Sequence, residues 1–358
     1  MNIVTVVGAR PQFIKAAPVS EALHEHGHIE FLLHTGQHYD ANMSEVFFEE
    51  LGIPKPNFNL NVGSGSHASQ TAAILTGVEK VLLDQKPDWL LIYGDTNSTL
   101  AAALAASKLD IPIAHVEAGL RSFNRCMPEE INRVISDHLS SLLFCPSQTA
   151  KQNLANEGIT AKSKIVGDVM YDALKKFIAL ADEKSGILDA LKLENKGYYL
   201  ATVHRAENTD DASRLREILD VLTRLDKPTI LPLHPRTRAR IRKLGLEMDK
   251  SKLVQIAPLG YLDMLILQKN ALAVLTDSGG MQKEAYWLGV PCITLREETE
   301  WLETIQSGWN VLTGTDSKRI ITATLHMRDK PPISEPVLAY TLPGKSASIR
   351  IAESFETK

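Results

Sequence analysis

The chain is predicted to be an α/β protein with two Rossmann-like, doubly wound parallel-sheet domains. Three observations lead there. Short β-rich runs alternate with longer helical stretches, as βαβ units require. The runs are apolar throughout, not every second residue, as in strands covered on both faces. The rhythm pauses near Gly167-Asp168 and starts again. A length of 358 residues suits two domains, and such a chain buries about three quarters of its unfolded surface without a disulfide or metal staple.

The first domain, residues 1–168, opens on a strand at 3–7, a helix at 12–24 and a strand at 30–34. A strand at 89–93 precedes an alanine-rich helix at 99–108. A strand at 113–116, a helix at 129–141 and a strand at 142–145 follow. The second domain, 169–344, has strands at 198–203, 229–233, 253–256, 273–276 and 292–295. Pro331-Pro332 and Pro336 mark a loop, and a helix at 346–356 ends the chain. Two such domains facing a central cleft bind ligands at the carboxyl ends of their sheets.

Composition narrows the function. Thirty-nine basic and 43 acidic residues leave a net charge of −4, whereas nucleic-acid binders are normally basic. A small anion still needs only a local basic cluster. No apolar run reaches the ~18 residues of a membrane span. The N-terminus lacks the basic leader of a signal peptide and reads as a first strand. Cys126, Cys145 and Cys292 are few, odd in number and widely spaced. They outline neither a disulfide framework nor a zinc site, and they suit a reducing cytoplasm.

Six segments carry the chemistry. In GARPQFIK, residues 8–15, Gly8 allows a tight turn and Pro11 suits a helix start. Arg10 and Lys15 then flank a positive helix N-terminus that attracts phosphate; the segment is neither a dinucleotide fingerprint nor a Walker loop. In GDTNST, 94–99, Asp95 stands at a strand end, either as a cleft carboxylate or as the N-cap of the next helix. In HVEAGLRS, 115–122, Glu117 stands at the next strand end, followed by Arg121. In MPEEINR, 127–133, Pro128, Glu129 and Glu130 suit a helix start. Glu130 is read as helix-start chemistry, Glu129 as able to point back into the cleft, and Asp137-His138 as local packing or capping.

The other two segments lie in the second domain. In VHRAEN, 203–208, His204 is a residue type suited to proton transfer or phosphate contact, with Arg205 and Glu207 beside it. His234 and Arg236 form a similar basic turn. In LTDSGGMQKEA, 275–285, Ser278, Gly279 and Gly280 offer a hydroxyl and open N–H groups to a diphosphate. Glu284, one turn on, is placed for a ribose hydroxyl.

These six motifs, in this order and across nearly the whole chain, resemble the non-hydrolysing UDP-N-acetylglucosamine 2-epimerases. The resemblance implies a GT-B-type pair of domains, with the final helix, about 345–358, packed back on the first. It implies a cytoplasmic homodimer that uses no metal and no cofactor and supplies sugar nucleotide for polysaccharide biosynthesis. The implied reaction interconverts UDP-GlcNAc and UDP-ManNAc through elimination of UDP to a 2-acetamidoglucal and re-addition. Asp95, Glu117 and Glu129 match the proton-transfer acids, and His204 the histidine near the diphosphate. Arg10, Lys15, Arg121, Arg205, His234, Ser278, Gly279, Gly280 and Glu284 match substrate- and UDP-binding positions.

Three segments, 35–40, 63–67 and 296–301, look closer to the branch that includes the UDP-2,3-diacetamido-2,3-dideoxyglucuronic acid 2-epimerases. That acid is the alternative substrate. A hydrolysing relative and a GT-B glycosyltransferase are the more distant alternatives; the latter has no need of acids aimed at C2.

Overall fold

The computed structural model describes residues 1–37, 51–159, 162–246, 252–332 and 342–356. Residues 38–40 of one branch segment and the loop proline Pro336 lie outside them. The chain separates into two compact units, Met1–Lys176 with Ala339–Lys358, and Phe177–Leu338.

The first unit runs β1 (Asn2–Val7), α1 (Arg10–Glu25), β2 (Ile29–His34), β3 (Phe58–Asn59), α2 (His67–Gln85), β4 (Trp89–Tyr93), α3 (Asn97–Lys108), β5 (Ile113–Val116), α4 (Pro128–Leu139), β6 (Leu142–Cys145), α5 (Gln148–Asn156) and β7 (Ser163–Ile165). Its seven strands are all parallel, in the order β3-β2-β1-β4-β5-β6-β7. Val4, Val6, Leu90 and Ile92 pack against Ile74, Val78 and Leu82 of α2 and against the alanines of α3. Those alanines explain the close fit, since Ala101, Ala102, Ala103, Ala105 and Ala106 leave no side chain to hold the helix off the sheet.

After α6 (Val169–Lys184), the second unit runs α7 (Ile187–Leu191), β8 (Tyr199–Thr202), α8 (Ala206–Thr209), α9 (Ala212–Arg224), β9 (Thr229–Pro232), α10 (Pro235–Leu244), β10 (Leu253–Ile256), α11 (Tyr261–Asn270), β11 (Val274–Thr276), α12 (Gly279–Trp287), β12 (Cys292–Thr294), α13 (Leu302–Gln306), β13 (Asn310–Leu312) and α14 (Ser317–Asp329). Its strands are again all parallel, in the order β10-β9-β8-β11-β12-β13. Tyr199 and Ala201 enter one apolar layer while Tyr198 and Leu200 enter the other. Alternate residues thus serve opposite faces, which is why the strand reads as an unbroken apolar run.

The last helix, α15 (Ala347–Glu353), belongs to the first unit and packs on α1. His28 Nε2 meets the Ala352 carbonyl at 3.1 Å. The buried Phe355 stacks edge-on against Trp89 and Phe144, with ring centroids 5.5 and 6.1 Å away. The sequence pattern did not mark the short strands β3, β7 and β13, because two or three residues carry too little periodicity to register. No described helix is long and apolar enough to cross a membrane.

Candidate active site

Strand order reverses at one point in each sheet, between β1 and β4 and between β8 and β11. Doubly wound sheets bind ligands at the carboxyl ends of the strands flanking that reversal. The turns after β1 and β4 are Gly8-Ala9 and Gly94–Thr96; those after β8 and β11 hold His204-Arg205 and Asp277-Ser278. All four are motifs from the sequence.

In the first unit a single side chain joins the two turns. Gln12, buried in α1, accepts from the Gly8 and Ala9 N–H groups at 2.8 and 3.1 Å. Its amide donates to the Tyr93 carbonyl at 2.7 Å and reaches the Thr96 and Thr99 hydroxyls. Gly8 is obligatory there, since a Cβ would lie 2.1 Å from Ser98 Oγ. Arg10 is the first residue of α1, and Lys15 lies a turn and a half along it.

Helix α4 is turned inside out. It buries Glu130, Asn132, Arg133, Ser136 and Asp137 and leaves Ile131 exposed. An amphipathic helix normally does the reverse, and buried charges are stable only when paired. Each of these charges is paired. Arg133 donates to Asp95 Oδ2 at 2.6 Å and to Glu130 Oε2 at 2.8 Å. Asn132 donates to the Asp95 carbonyl at 2.8 Å. Asp95 is therefore held by α4 and does not cap α3, whose N-cap is Thr96, accepting from the Thr99 N–H. Glu130 does lie in the first turn of α4, as the helix-start reading has it, and it does more there. Its carboxylate accepts from the Ser122 and Phe123 N–H groups and the Ser122 hydroxyl, which fixes the loop after Glu117.

Glu117 forms an ion pair with Lys15, and both side chains are largely buried. Lys15 is thus a partner of an acid, where the sequence placed it on phosphate. The backbone at Glu117 is left-handed, φ 69°, a conformation costing of order 1–3 kcal/mol for a non-glycine residue and often found at functional sites. The loop is held from below. Gly119 has φ +81°, and a Cβ there would lie 2.2 Å from the Ala150 carbonyl oxygen. Gly119→Ala is expected to destabilise the protein by about 2–5 kcal/mol through strain and clash. Chemical denaturation checks this, and an unchanged midpoint would refute the tight fit.

Arg121 needs a correction. It is 5% exposed, and its guanidinium is spent on scaffold contacts: bidentate to Glu157 at 2.7 and 2.8 Å, to Asp137 Oδ2 at 2.7 Å and to the Leu120 carbonyl at 2.7 Å. Asp137, expected to pack locally, reaches 22 residues back to His115 Nδ1 at 2.7 Å. Burial alone would raise its carboxyl, but hydrogen bonds and charge from His115 and Arg121 outweigh that and hold it below the usual carboxylate range. Glu129, half-buried in the first turn of α4, is not among the residues these bonds bring together.

In the second unit the hub is Asp277, fully buried and missed in the sequence. Its carboxylate accepts from the His204 N–H at 3.0 Å, the Arg205 N–H at 3.0 Å and the Asn208 amide at 3.2 Å. His204 Nδ1 lies 3.3 Å from it. The Arg205 Nε donates to the Asp277 carbonyl at 3.1 Å. The His234 ring centroid is 5.6 Å from that of His204, and His234 Nδ1 accepts from the Arg236 N–H at 3.2 Å. His204, Arg205 and His234 thus gather on one turn cluster.

Ser278 is the N-cap of α12 and makes no side-chain capping bond; Gly279 and Gly280 follow it as the first residues of the helix. A Cβ on Gly279 would meet Trp301 Nε1 at 3.1 Å. Glu284 is 4% exposed and accepts from the Tyr261 hydroxyl at 2.9 Å and the Gln268 amide at 2.7 Å. Both carboxylate oxygens thus have protein partners and keep further lone pairs. Lys283 is buried over the Trp301 ring, 3.8 Å from its centroid. Cys145 and Cys292 are buried, and burial pushes both thiols up to about 12, so neither is a nucleophile.

Two parallel α/β sheets, each with polar turns at its own reversal point, have the architecture of the GT-B type. The model of the family UDP-N-acetylglucosamine 2-epimerase matches residues 21–355. A UDP-N-acetylglucosamine 2-epimerase homolog of Methanococcus maripaludis is 55% identical, covering 90% of this chain and 91% of its own. A UDP-2,3-diacetamido-2,3-dideoxy-D-glucuronate 2-epimerase of Pseudomonas aeruginosa is 50% identical over 99% of each chain. The crystal structure of Methanocaldococcus jannaschii UDP-GlcNAc 2-epimerase in complex with UDP-GlcNAc and UDP superposes with a TM-score of 0.93, at 43% identity and full coverage of both chains. The chain belongs to the UDP-N-acetylglucosamine 2-epimerase family and is an isomerase.

Proposed function

We propose that the protein interconverts UDP-GlcNAc and UDP-ManNAc by elimination and re-addition of UDP. One carboxylate removes the C2 proton; the C–H electron pair becomes the C1–C2 double bond of a 2-acetamidoglucal, and the C1–O bond to UDP breaks. UDP then adds back to C1 while the second acid, having drawn a proton from solvent, delivers it to the opposite face of C2. Asp95 and Glu117 carry these two transfers, each typically contributing ~10²–10⁴-fold. The observation that bears most of the weight is that they stand at the ends of the adjacent strands β4 and β5, each against a buried cation. Glu129 is kept as a third proton-transfer candidate on its motif match alone.

The turns of the second unit suit the nucleotide. His204, Arg205 and His234 offer positive or hydrogen-bonding groups to a departing diphosphate. Ser278, Gly279 and Gly280 offer a helix N-terminus, and Glu284 a carboxylate for the ribose. Arg10 remains with the UDP-binding set. The reaction so written draws on no metal or cofactor. A cytoplasmic homodimer belongs to the same proposal, and sedimentation tests the dimer.

The Pseudomonas relative, matched over 99% of both chains, favours a second substrate, UDP-2,3-diacetamido-2,3-dideoxyglucuronate, with the same C2 chemistry. Proton NMR of each sugar nucleotide with the protein separates the two. A growing UDP-ManNAc signal from UDP-GlcNAc is the expected result. Epimerisation of the diacetamido-uronate alone would transfer the proposal to that sugar. Free ManNAc with UDP would identify a hydrolysing enzyme instead.

A further inference from the structure

The structure assigns Asp137, acting through His115, as the positioning residue for both proton-transfer acids. This assignment rests on the reaction proposed above. Asp137 and His115 are fully buried on α4 and β5, and neither is placed to touch substrate. Their bonds end on the two turns that carry the acids.

One Asp137 oxygen accepts from His115 Nδ1 at 2.7 Å. The other accepts from the Gly119 N–H at 3.1 Å and from Arg121 at 2.7 Å. Gly119 lies two residues beyond Glu117, so this oxygen fixes the loop that holds Glu117 in its left-handed conformation. The far side of the imidazole works on the other acid. His115 Nε2 lies 2.8 Å from the Gly94 carbonyl oxygen, which can only accept. A carboxylate also only accepts, so the imidazole bridges an acceptor on α4 and an acceptor on the Asp95 turn.

Gly94 directly precedes Asp95. It has φ +61°, and a Cβ there would lie 3.3 Å from Glu117 Oε2 and 3.6 Å from Lys15 Nζ. The carbonyl clamped by His115 therefore belongs to the residue that links Asp95 to the Lys15–Glu117 pair. Burying this much charge is costly unless it is paired. Here Asp137 and Glu157 both pair with the Arg121 guanidinium, and the His115 ring adds a hydrogen bond to Asp137. Asp137 thus sets the separation of the two acids, and with it the alignment of each with its own face of C2.

Steady-state kinetics on three variants, with whichever of the two sugar nucleotides the wild-type protein epimerises, tests this. Asp137→Asn keeps the shape but removes the charge and one of the two accepting oxygens, so His115 and the Gly119–Arg121 loop can no longer both be held. It is expected to lower kcat by ~10–100-fold, as misplacing reacting groups by about 1 Å does, with KM and UDP affinity within about threefold. Two further variants hold the question open if Asp137→Asn does not fold. His115→Asn reaches Asp137 but stops short of the Gly94 carbonyl and should lose kcat in the same way. His115→Gln carries its amide N–H further and should regain part of that loss, a rescue that simple packing does not give. Wild-type kcat in a folded Asp137→Asn, or equal kcat in the two His115 variants, would overturn the assignment while leaving the epimerase intact. Failure of the wild-type protein to epimerise either sugar would instead bring down the reaction, and the assignment with it.

Discussion

Glu117→Gln is expected to abolish epimerisation while UDP still binds. The amide keeps the size of the side chain and can still accept from Lys15, but it cannot take a proton from C2. The loss is at least the ~10²–10⁴-fold that a general acid–base group contributes. It is larger if no other group substitutes, because both faces of C2 must be served in every turnover. Nucleotide affinity is expected to stay at the wild-type level, since Glu117 is not among the groups proposed to hold UDP. Proton NMR of C2 exchange in D₂O together with calorimetry of UDP binding reads both quantities. Turnover within tenfold of wild type would remove Glu117 from the chemistry.

Asp277→Ala is the second large effect, and it falls on binding. The carboxylate gathers the His204 and Arg205 N–H groups and the Asn208 amide at the end of β8. Removing it strands these donors in a turn beside the fully buried strand end, at a cost of ~1–3 kcal/mol for each one left without a partner. The turn carrying His204 and Arg205 then loses its shape. UDP affinity is expected to fall by ~10-fold or more, one factor of ten for each 1.4 kcal/mol of lost preorganisation, and the thermal midpoint to fall with it. Asp277→Asn, which keeps one accepting oxygen, should lie between. Wild-type UDP affinity in Asp277→Ala would show that this turn does not hold the nucleotide.

Much of the fold was legible because parallel strands buried on both faces are unbroken apolar runs, and the sheets place the marked turns at their reversal points. The acids Asp95 and Glu117 were legible for the same reason: a carboxylate directly after a buried strand stands at the sheet's carboxyl edge. Their partners were not. Arg133 lies 38 residues from Asp95, and Lys15 lies 102 from Glu117; no local pattern carries a pairing at that range. Glu129 and Glu130 show a finer limit. Both favour a helix start equally, yet neighbours on a helix point about 100° apart, so burial alone decides that Glu130 faces inward. A charged face such as that of α4 ordinarily signals solvent, and the same expectation concealed Asp137. Arg121 was read as a ligand contact because it follows Glu117, when the fold needed a cation beneath the loop. Asp277 was passed over because the small residues after it, Ser278 to Gly280, carried the phosphate-binding pattern.

The most direct test of elimination and re-addition follows the C1–O bond itself. The sugar nucleotide is labelled with ¹⁸O in the bridge between C1 and the β-phosphorus and incubated in D₂O, and the products are read by phosphorus and proton NMR. If UDP leaves and returns, the label spreads to the non-bridging β-phosphate oxygens as deuterium enters C2. Deuterium at C2 with the label still in the bridge would mean that the bond never breaks, and the elimination route would be wrong.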